Sequence, residues 1–367
     1  MARKDAKEPG RMIASDLCAF ACRCFVCTRC AWGARSSQVM AILSSLPRSL
    51  SGFPMKLFSR PGLLVLAGIL ISNVLCFSAV AAEVVVPDHP TPTQADVHYG
   101  PHARQVVDFY QAATDGPAPV LFFVHGGGWM SGDKKTPDFL VPCLKSGISV
   151  VSVEYRLIPD AAADKVVPPV KGCLDDAARA LQFVRSKATE WKIDPTRIAG
   201  CGGSAGGFTT LWLAFHPDLA DAKSSDPVAR ESTHLSCALC FVPQTSLDPV
   251  QMRKWIPNIT YGNHAFLLPN FQNFVDQREK LLPFIQDFSP YALATKDAPP
   301  VYLFYDSVPA LGQEYKDPPH SANFGAGLVE KLKAIGAPYE FNYPGAPDLK
   351  HPDLFGFLVE NLHPAGK

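Results

Sequence analysis

Residues Cys201 to Gly207 read CGGSAGG, four glycines and an alanine around Ser204. A flexible glycine loop with an incidental serine would look like this. So would G-x-S-x-G, here Gly202-Gly203-Ser204-Ala205-Gly206. That second reading is a sharp strand-to-helix turn that holds a serine at strained backbone angles. It needs glycine two residues to either side, because a Cβ there would strike the neighbouring strand or helix. The flanks decide between the two. Arg197 to Cys201 reads as a short strand running straight into the glycines, and Phe208 to Phe215 as an apolar helix leaving them.

Working outward, Val120 to Val124 and Ile148 to Tyr155 are apolar runs of the kind buried on both faces of a parallel sheet. Asp175 to Trp191 carries Ala178, Leu181, Val184 and Ala188 at helical spacing. Gln105–Tyr110, Cys237–Val242, Val301–Tyr305 and Tyr339–Tyr343 read as further strands. Ser321–Ile335, closed by Gly336, and Pro352–Leu362 read as helices, and residues 251–288 as an irregular helical insertion. Strands alternating with helices predict an α/β fold, a mainly parallel sheet with helices on both faces. Ligands of such sheets bind at the carboxyl ends of the strands, where His125, Ser204 and the loops after Tyr305 and Tyr343 converge.

His125-Gly126-Gly127-Gly128-Trp129 follows the Val120–Val124 strand. Bare glycines leave backbone N–H groups free to face a cleft, where they can hold negative charge developing on an oxygen. His125 itself is expected to hold the loop by hydrogen bonds.

With these stretches in hand, the chain resembles the α/β-hydrolase superfamily, in the esterase and lipase branch with an HGGGW loop. It looks most like the hormone-sensitive-lipase-like and feruloyl- and acetyl-esterase-type group. VEYRLIP at 153–159, DDAARALQFVR at 175–185 and IDPTRIAG at 193–200 add to the likeness, which covers residues 95 to 362. The hormone-sensitive-lipase branch usually has a carboxylate where this chain has Gly203, which favours the sugar-ester type. The resemblance implies an α/β-hydrolase fold with residues 251–288 as a small cap insertion. It implies Ser204 as nucleophile, Gly127, Gly128 and the Ala205 N–H as oxyanion donors, and no metal or organic cofactor. Trp129 is expected to wall the substrate pocket.

The remaining members of a Ser-Asp-His triad follow from chain order, nucleophile, then acid, then histidine. The histidine is expected between the penultimate strand and the last helix. His351 lies there, although later than the family's Pro-Gly-Ala-Gly-like turn would put it, and His363 lies beyond the helix. The acid is Asp317, just before a helix start, with Asp306 at the strand end as the alternative. His320 is expected at the substrate rim or as a helix-start cap.

The 367 residues are 47% hydrophobic and 19% charged with zero net charge, which fits a globular protein and gives nothing to attract nucleic acid. Residues 55–82 have the build of a secretory signal peptide. Lys56 and Arg60 precede the apolar Leu63–Ile71, and Ala79-Val80-Ala81 offers a small-x-small cleavage site. Export to the periplasm or medium is therefore expected, with no stable membrane span after cleavage. Residues 1–54 read as a misplaced start or a disordered extension; Cys18, Cys22, Cys24, Cys27 and Cys30 in it lack a second ligand pair for zinc. The domain from residue 83 to 367 then keeps five cysteines, an odd number without regular spacing, which argues against a disulfide framework and leaves room for one bridge.

The expected function is an exported serine carboxylesterase acting on short-chain acyl esters, including acetyl groups on carbohydrates. A lipase or peptidase of the same fold, and a non-catalytic binding protein on that fold, are the alternatives.

Overall fold

The computed structural model describes residues 86–347 and 349–363. By contacts the chain divides into Met1–Val80 and Ala81–Lys367, and every described residue belongs to the second unit. The expected extension 1–54, its cysteines and the signal peptide 55–82 lie outside the described residues.

Eight strands form one sheet. They are β1 (Gln94–His98), β2 (Val106–Tyr110), β3 (Ala118–Val124), β4 (Ser149–Val153), β5 (Ile193–Gly203), β6 (Cys237–Phe241), β7 (Val301–Phe304) and β8 (Tyr339–Asn342). Their spatial order is β1-β2-β4-β3-β5-β6-β7-β8. β1 and β2 pair antiparallel, as do β2 and β4, and every later pairing is parallel. This is the α/β-hydrolase fold that the alternation of strands and helices anticipates.

Alternation along β3 builds the core on both sides of the sheet. Val120, Phe122 and Val124 enter one apolar cluster, and Leu121 and Phe123 enter the other. Helix α1 (Leu140–Lys145) precedes β4, and α2 (Ile158–Ala163), α3 (Val170–Ser186) and α4 (Ala188–Trp191) separate β4 from β5. α3 buries Ala178, Leu181 and Val184, the stripe expected from its spacing. α4 brings Trp191 flat against Phe109, ring centroids 4.4 Å apart. α5 (Ala205–Phe215) leaves β5 at the glycines and is buried along its whole length, which suits its mainly apolar sequence; Thr209, one of its two threonines, donates to the Ala205 carbonyl at 2.8 Å.

The insertion holds α6 (Pro249–Trp255), α7 (Phe271–Asp276) and α8 (Arg278–Phe288), followed by α9 (Pro290–Leu293). The Asp248 carboxylate accepts from the N–H groups of Val250 and Gln251 at the start of α6. Arg278 grips the same carboxylate at 2.6 and 2.8 Å, tying α8 to α6. Trp212 of α5 donates to the Asp287 carbonyl at 3.0 Å, which fixes the insertion beside the helix that begins at Ser204. α10 (Asn323–Ile335) connects β7 to β8, and α11 (Leu354–Leu362) closes the described chain. Cys143, Cys173, Cys201, Cys237 and Cys240 are all buried and unbridged. Among the described residues no helix is long and apolar enough to cross a membrane.

Candidate active site

β5 ends in a turn whose geometry is set by what its neighbours allow. Ser204 has φ 51° and ψ −121°, angles that a side-chain-bearing residue rarely adopts. A Cβ on Gly202 would lie 2.5 Å from the Val124 carbonyl oxygen, and one on Gly206 only 2.1 Å from the same atom. Both glycines are thus required for β5 and α5 to pass this close to β3. The Ser204 N–H donates to the Phe241 carbonyl at 2.9 Å, pinning the turn to β6. Gly203 has ordinary space around it, so its lack of a side chain is not forced by crowding.

Ser204 Oγ lies 3.0 Å from Nε2 of His320. Nδ1 of His320 lies 2.7 Å from Oδ2 of Asp317. Both groups come from one 3-10 turn, Pro318–His320, with Asp317 at its N-cap. A 3-10 turn has three residues per turn, so positions i and i+3 eclipse and the two side chains meet. Pro318 and Pro319 fix their own φ and stiffen the turn between them. The serine, imidazole and carboxylate form a hydrogen-bonded chain that can take a proton from Ser204 Oγ and hold the ring in one tautomer.

The structure corrects the expectation of His351. Its Nδ1 lies 2.5 Å from Glu340 Oε1 and its Nε2 2.8 Å from Glu360 Oε2. Its backbone N–H also donates to Glu340 at 2.9 Å. Burial pulls the pKa of this imidazole down, but hydrogen bonds and charge from Glu340 and Glu360 outweigh it and hold the value above the usual one. A ring with a carboxylate on each nitrogen has no lone pair to offer a serine. Asp317, expected to orient His351, lies instead against Nδ1 of His320. The alternative Asp306 is exposed and bonds neither histidine.

The glycine loop lies over the elbow. Gly127 and Gly128 have φ of 105° and 62°. The Gly127 carbonyl accepts from the N–H groups of Met130 and Ser131 at 3.0 and 3.1 Å. In a trans peptide the next N–H, that of Gly128, points the opposite way. Among the described residues the N–H groups of Gly127 and Gly128 find no acceptor. His125 is structural: its ring stacks on Tyr155 at 4.3 Å, and the Tyr155 hydroxyl donates to its carbonyl at 2.7 Å.

Trp129 is also corrected. It is fully buried and cannot wall an open pocket. Its φ of 57° turns the side chain inward, where Nε1 donates to Thr209 Oγ1 at 3.1 Å and the ring meets the edge of Phe208. The contact to the loop that sequence reasoning missed comes from the insertion. His264 Nε2 lies 3.0 Å from the Gly128 carbonyl. Burial depresses the pKa of His264, partly opposed by that bond, so a neutral ring donates through Nε2. The five cysteines offer no competing nucleophile; burial pushes the Cys143 thiol, for one, up to about 12. Among the described residues no cluster of three or more metal-ligating side chains occurs.

The local signal for His320 was present in Lys316-Asp317-Pro318-Pro319-His320, an acid three residues ahead of a histidine across two prolines. The expectation of a histidine close to the last helix directed attention to His351 instead, although His320 also satisfies the order nucleophile, acid, histidine.

A family model described as BD-FAE matches residues 107–308, more than half of the chain. Carboxylesterase NlhH of Mycobacterium tuberculosis is 41% identical over 98 residues, 26% of this chain and 28% of that protein. Versiconal hemiacetal acetate esterase of Dothistroma septosporum is 38% identical over 101 residues, 27% of this chain and 29% of that protein. The chain thus spans under a third of the length of these relatives. A thermophilic esterase from the Planctomycetes species Thermogutta terrifontis shares the fold, with TM-score 0.54 and 23% identity, over 77% of this chain and 97% of that one. So does a truncated carbohydrate esterase from gut microbiota, with TM-score 0.55 and 17% identity, over 76% and 98%.

Proposed function

The chain belongs to the BD-FAE family, and from that membership and the geometry around Ser204 we propose that it is a serine-type hydrolase of carboxylic esters. The observation that carries the proposal is the 3.0 Å contact between Ser204 Oγ and His320 Nε2, backed by Asp317 at 2.7 Å. Ester hydrolysis is also in the names of the Mycobacterium and Dothistroma relatives.

In this reading Ser204 Oγ attacks the ester carbonyl carbon while His320 Nε2 takes its proton. Asp317 holds the tautomer and stabilises the imidazolium. Negative charge on the former carbonyl oxygen meets the N–H groups of Gly127, Gly128 and Ala205. Donors in such positions are each worth about 10²–10³ in turnover. Collapse breaks the bond to the alcohol oxygen, which leaves with the proton from His320. Water then repeats the sequence on the acyl-serine, releasing the acid and restoring Ser204.

We assign the acyl group as short, acetyl to butyryl, with acetylated carbohydrates as the natural class. In support, Gly203 stands where the hormone-sensitive-lipase branch usually carries a carboxylate, and the Dothistroma relative is named as an acetate esterase. Labelling by a fluorophosphonate that maps to Ser204 in the parent and vanishes in Ser204→Ala supports a hydrolase; an unlabelled parent argues for a binding protein. A p-nitrophenyl ester series then reads chain length. Faster cleavage of C12 than of acetate overturns the short-acyl assignment. Export, inferred from residues 55–82, is tested by N-terminal sequencing, with a start near Ala82 or Glu83 expected and recovery of residues 1–54 against it.

A further inference from the structure

Gln244 lies three residues beyond the end of β6. The side chain is wholly buried. Its Nε2 donates to the Pro319 carbonyl at 2.6 Å, the residue next to His320. The same nitrogen lies 3.5 Å from Ser204 Oγ. The amide orientation is fixed, because a carbonyl oxygen such as that of Pro319 only accepts. Oε1 is then left buried with no hydrogen-bond partner among the described residues.

A buried amide with an unpaired oxygen is a poor choice for packing alone, since an apolar residue of similar shape would avoid the penalty. The surroundings are built to hold it. The Tyr305 hydroxyl donates to the Pro243 carbonyl at 2.6 Å, just before Gln244. The Thr245 hydroxyl donates to the Phe324 carbonyl at 2.8 Å, just after it. The backbone on both sides of Gln244 is therefore tied to the elements that flank the Pro318–His320 turn.

We propose that Gln244 is the positioning residue that seats the turn carrying Asp317 and His320 against Ser204. The inference rests on the hydrolase reading above. The amide spans the gap between β6 and the turn, and fixes the peptide from which His320 projects. It sets the distance from Nε2 of His320 to Ser204 Oγ without itself touching substrate. Loss of the amide N–H leaves the relay intact within the turn but lets the turn drift from the serine.

The test compares the parent with Gln244→Met and Gln244→Glu. Methionine keeps length and burial but cannot donate. A glutamate at this wholly buried position is held neutral, so its O–H can replace the amide as donor to the Pro319 carbonyl. Turnover of p-nitrophenyl acetate is expected to fall about 10–100-fold in Gln244→Met, because small misplacements of a base are costly, and to be largely retained in Gln244→Glu, which keeps a donor. KM should change less than twofold, and the melting temperature of Gln244→Met should match or exceed that of the parent. Equal turnover in parent and Gln244→Met overturns the proposal, as does a turnover loss that tracks a fall in melting temperature. A parent that neither turns over esters nor reacts with the fluorophosphonate refutes the hydrolase reading instead.

Discussion

One imidazole in this chain faces a serine and another faces two glutamates, and their substitutions should separate cleanly. His320→Ala is expected to lose at least about 10³ in turnover, since nucleophile and base act as a unit. His351→Ala should stay within a fewfold of the parent, because its nitrogens are spent on Glu340 and Glu360. Steady-state kinetics on a short ester decides it, and a crippled His351→Ala enzyme would return the base to the loop after β8. The acids divide in the same way. Asp317→Asn should cost up to about 10⁴, the figure known for a protease triad, by presenting the wrong tautomer. Asp306→Asn should be nearly neutral, as its carboxylate is exposed and bonds neither histidine. The serine was legible because its requirements are local, with Gly202 and Gly206 two residues either side. The base carried a local signal in Asp317-Pro318-Pro319-His320, but its partnership with the serine was not legible, because Ser204 and His320 are 116 residues apart and only the landing point of the turn joins them.

At the level of elements, His351 ties β8 to α11 through Glu340 and Glu360. Its raised pKa means that the folded state holds the proton more tightly than the unfolded chain does. The stability gained is fully present below the ordinary histidine value, about 6.5, and is lost as pH rises through the raised one. Glu360 titrates in the opposite sense. Hydrogen bonds from Lys350 and then His351 depress its pKa, so its share is lost as pH falls through that lowered value. The melting-temperature gap between the parent and His351→Asn should therefore shrink on going from pH 6 to pH 9. Glu360 is half exposed, so screening limits the gap to about 1–3 °C. A gap that widens toward alkaline pH would show that the cationic ring is not what ties the two elements. Sequence could not have revealed this tie, since it depends on β8 and α11 meeting side by side. Trp129 was misplaced for a kindred reason: an aromatic residue beside a glycine loop suggests a pocket wall, and only its positive φ sends it into the core.

Across the whole molecule, most of the fold was readable because its signals are contiguous. The run Val120–Val124, the spacing of Ala178, Leu181 and Val184, and the strand-glycine-helix passage at Ser204 each need only neighbours to be understood. The insertion was legible as helical, but its reach to Gly128 through His264 was not, being a contact across 136 residues.

The Asp317–His320 turn has a consequence for how the molecule assembles. A relay drawn from three separate loops needs two distant closures, each with an entropic cost that grows with the logarithm of the intervening length. Here the acid and base are joined across only three residues, so one long closure, between Ser204 and His320, completes the set. Recovery of fluorophosphonate reactivity during refolding should then follow a single phase, coincident with packing of β7 onto β6. It should precede, or be indifferent to, the docking of α11. A lag in reactivity that tracks α11 instead would mean that the C-terminal helix is needed to complete the chemistry.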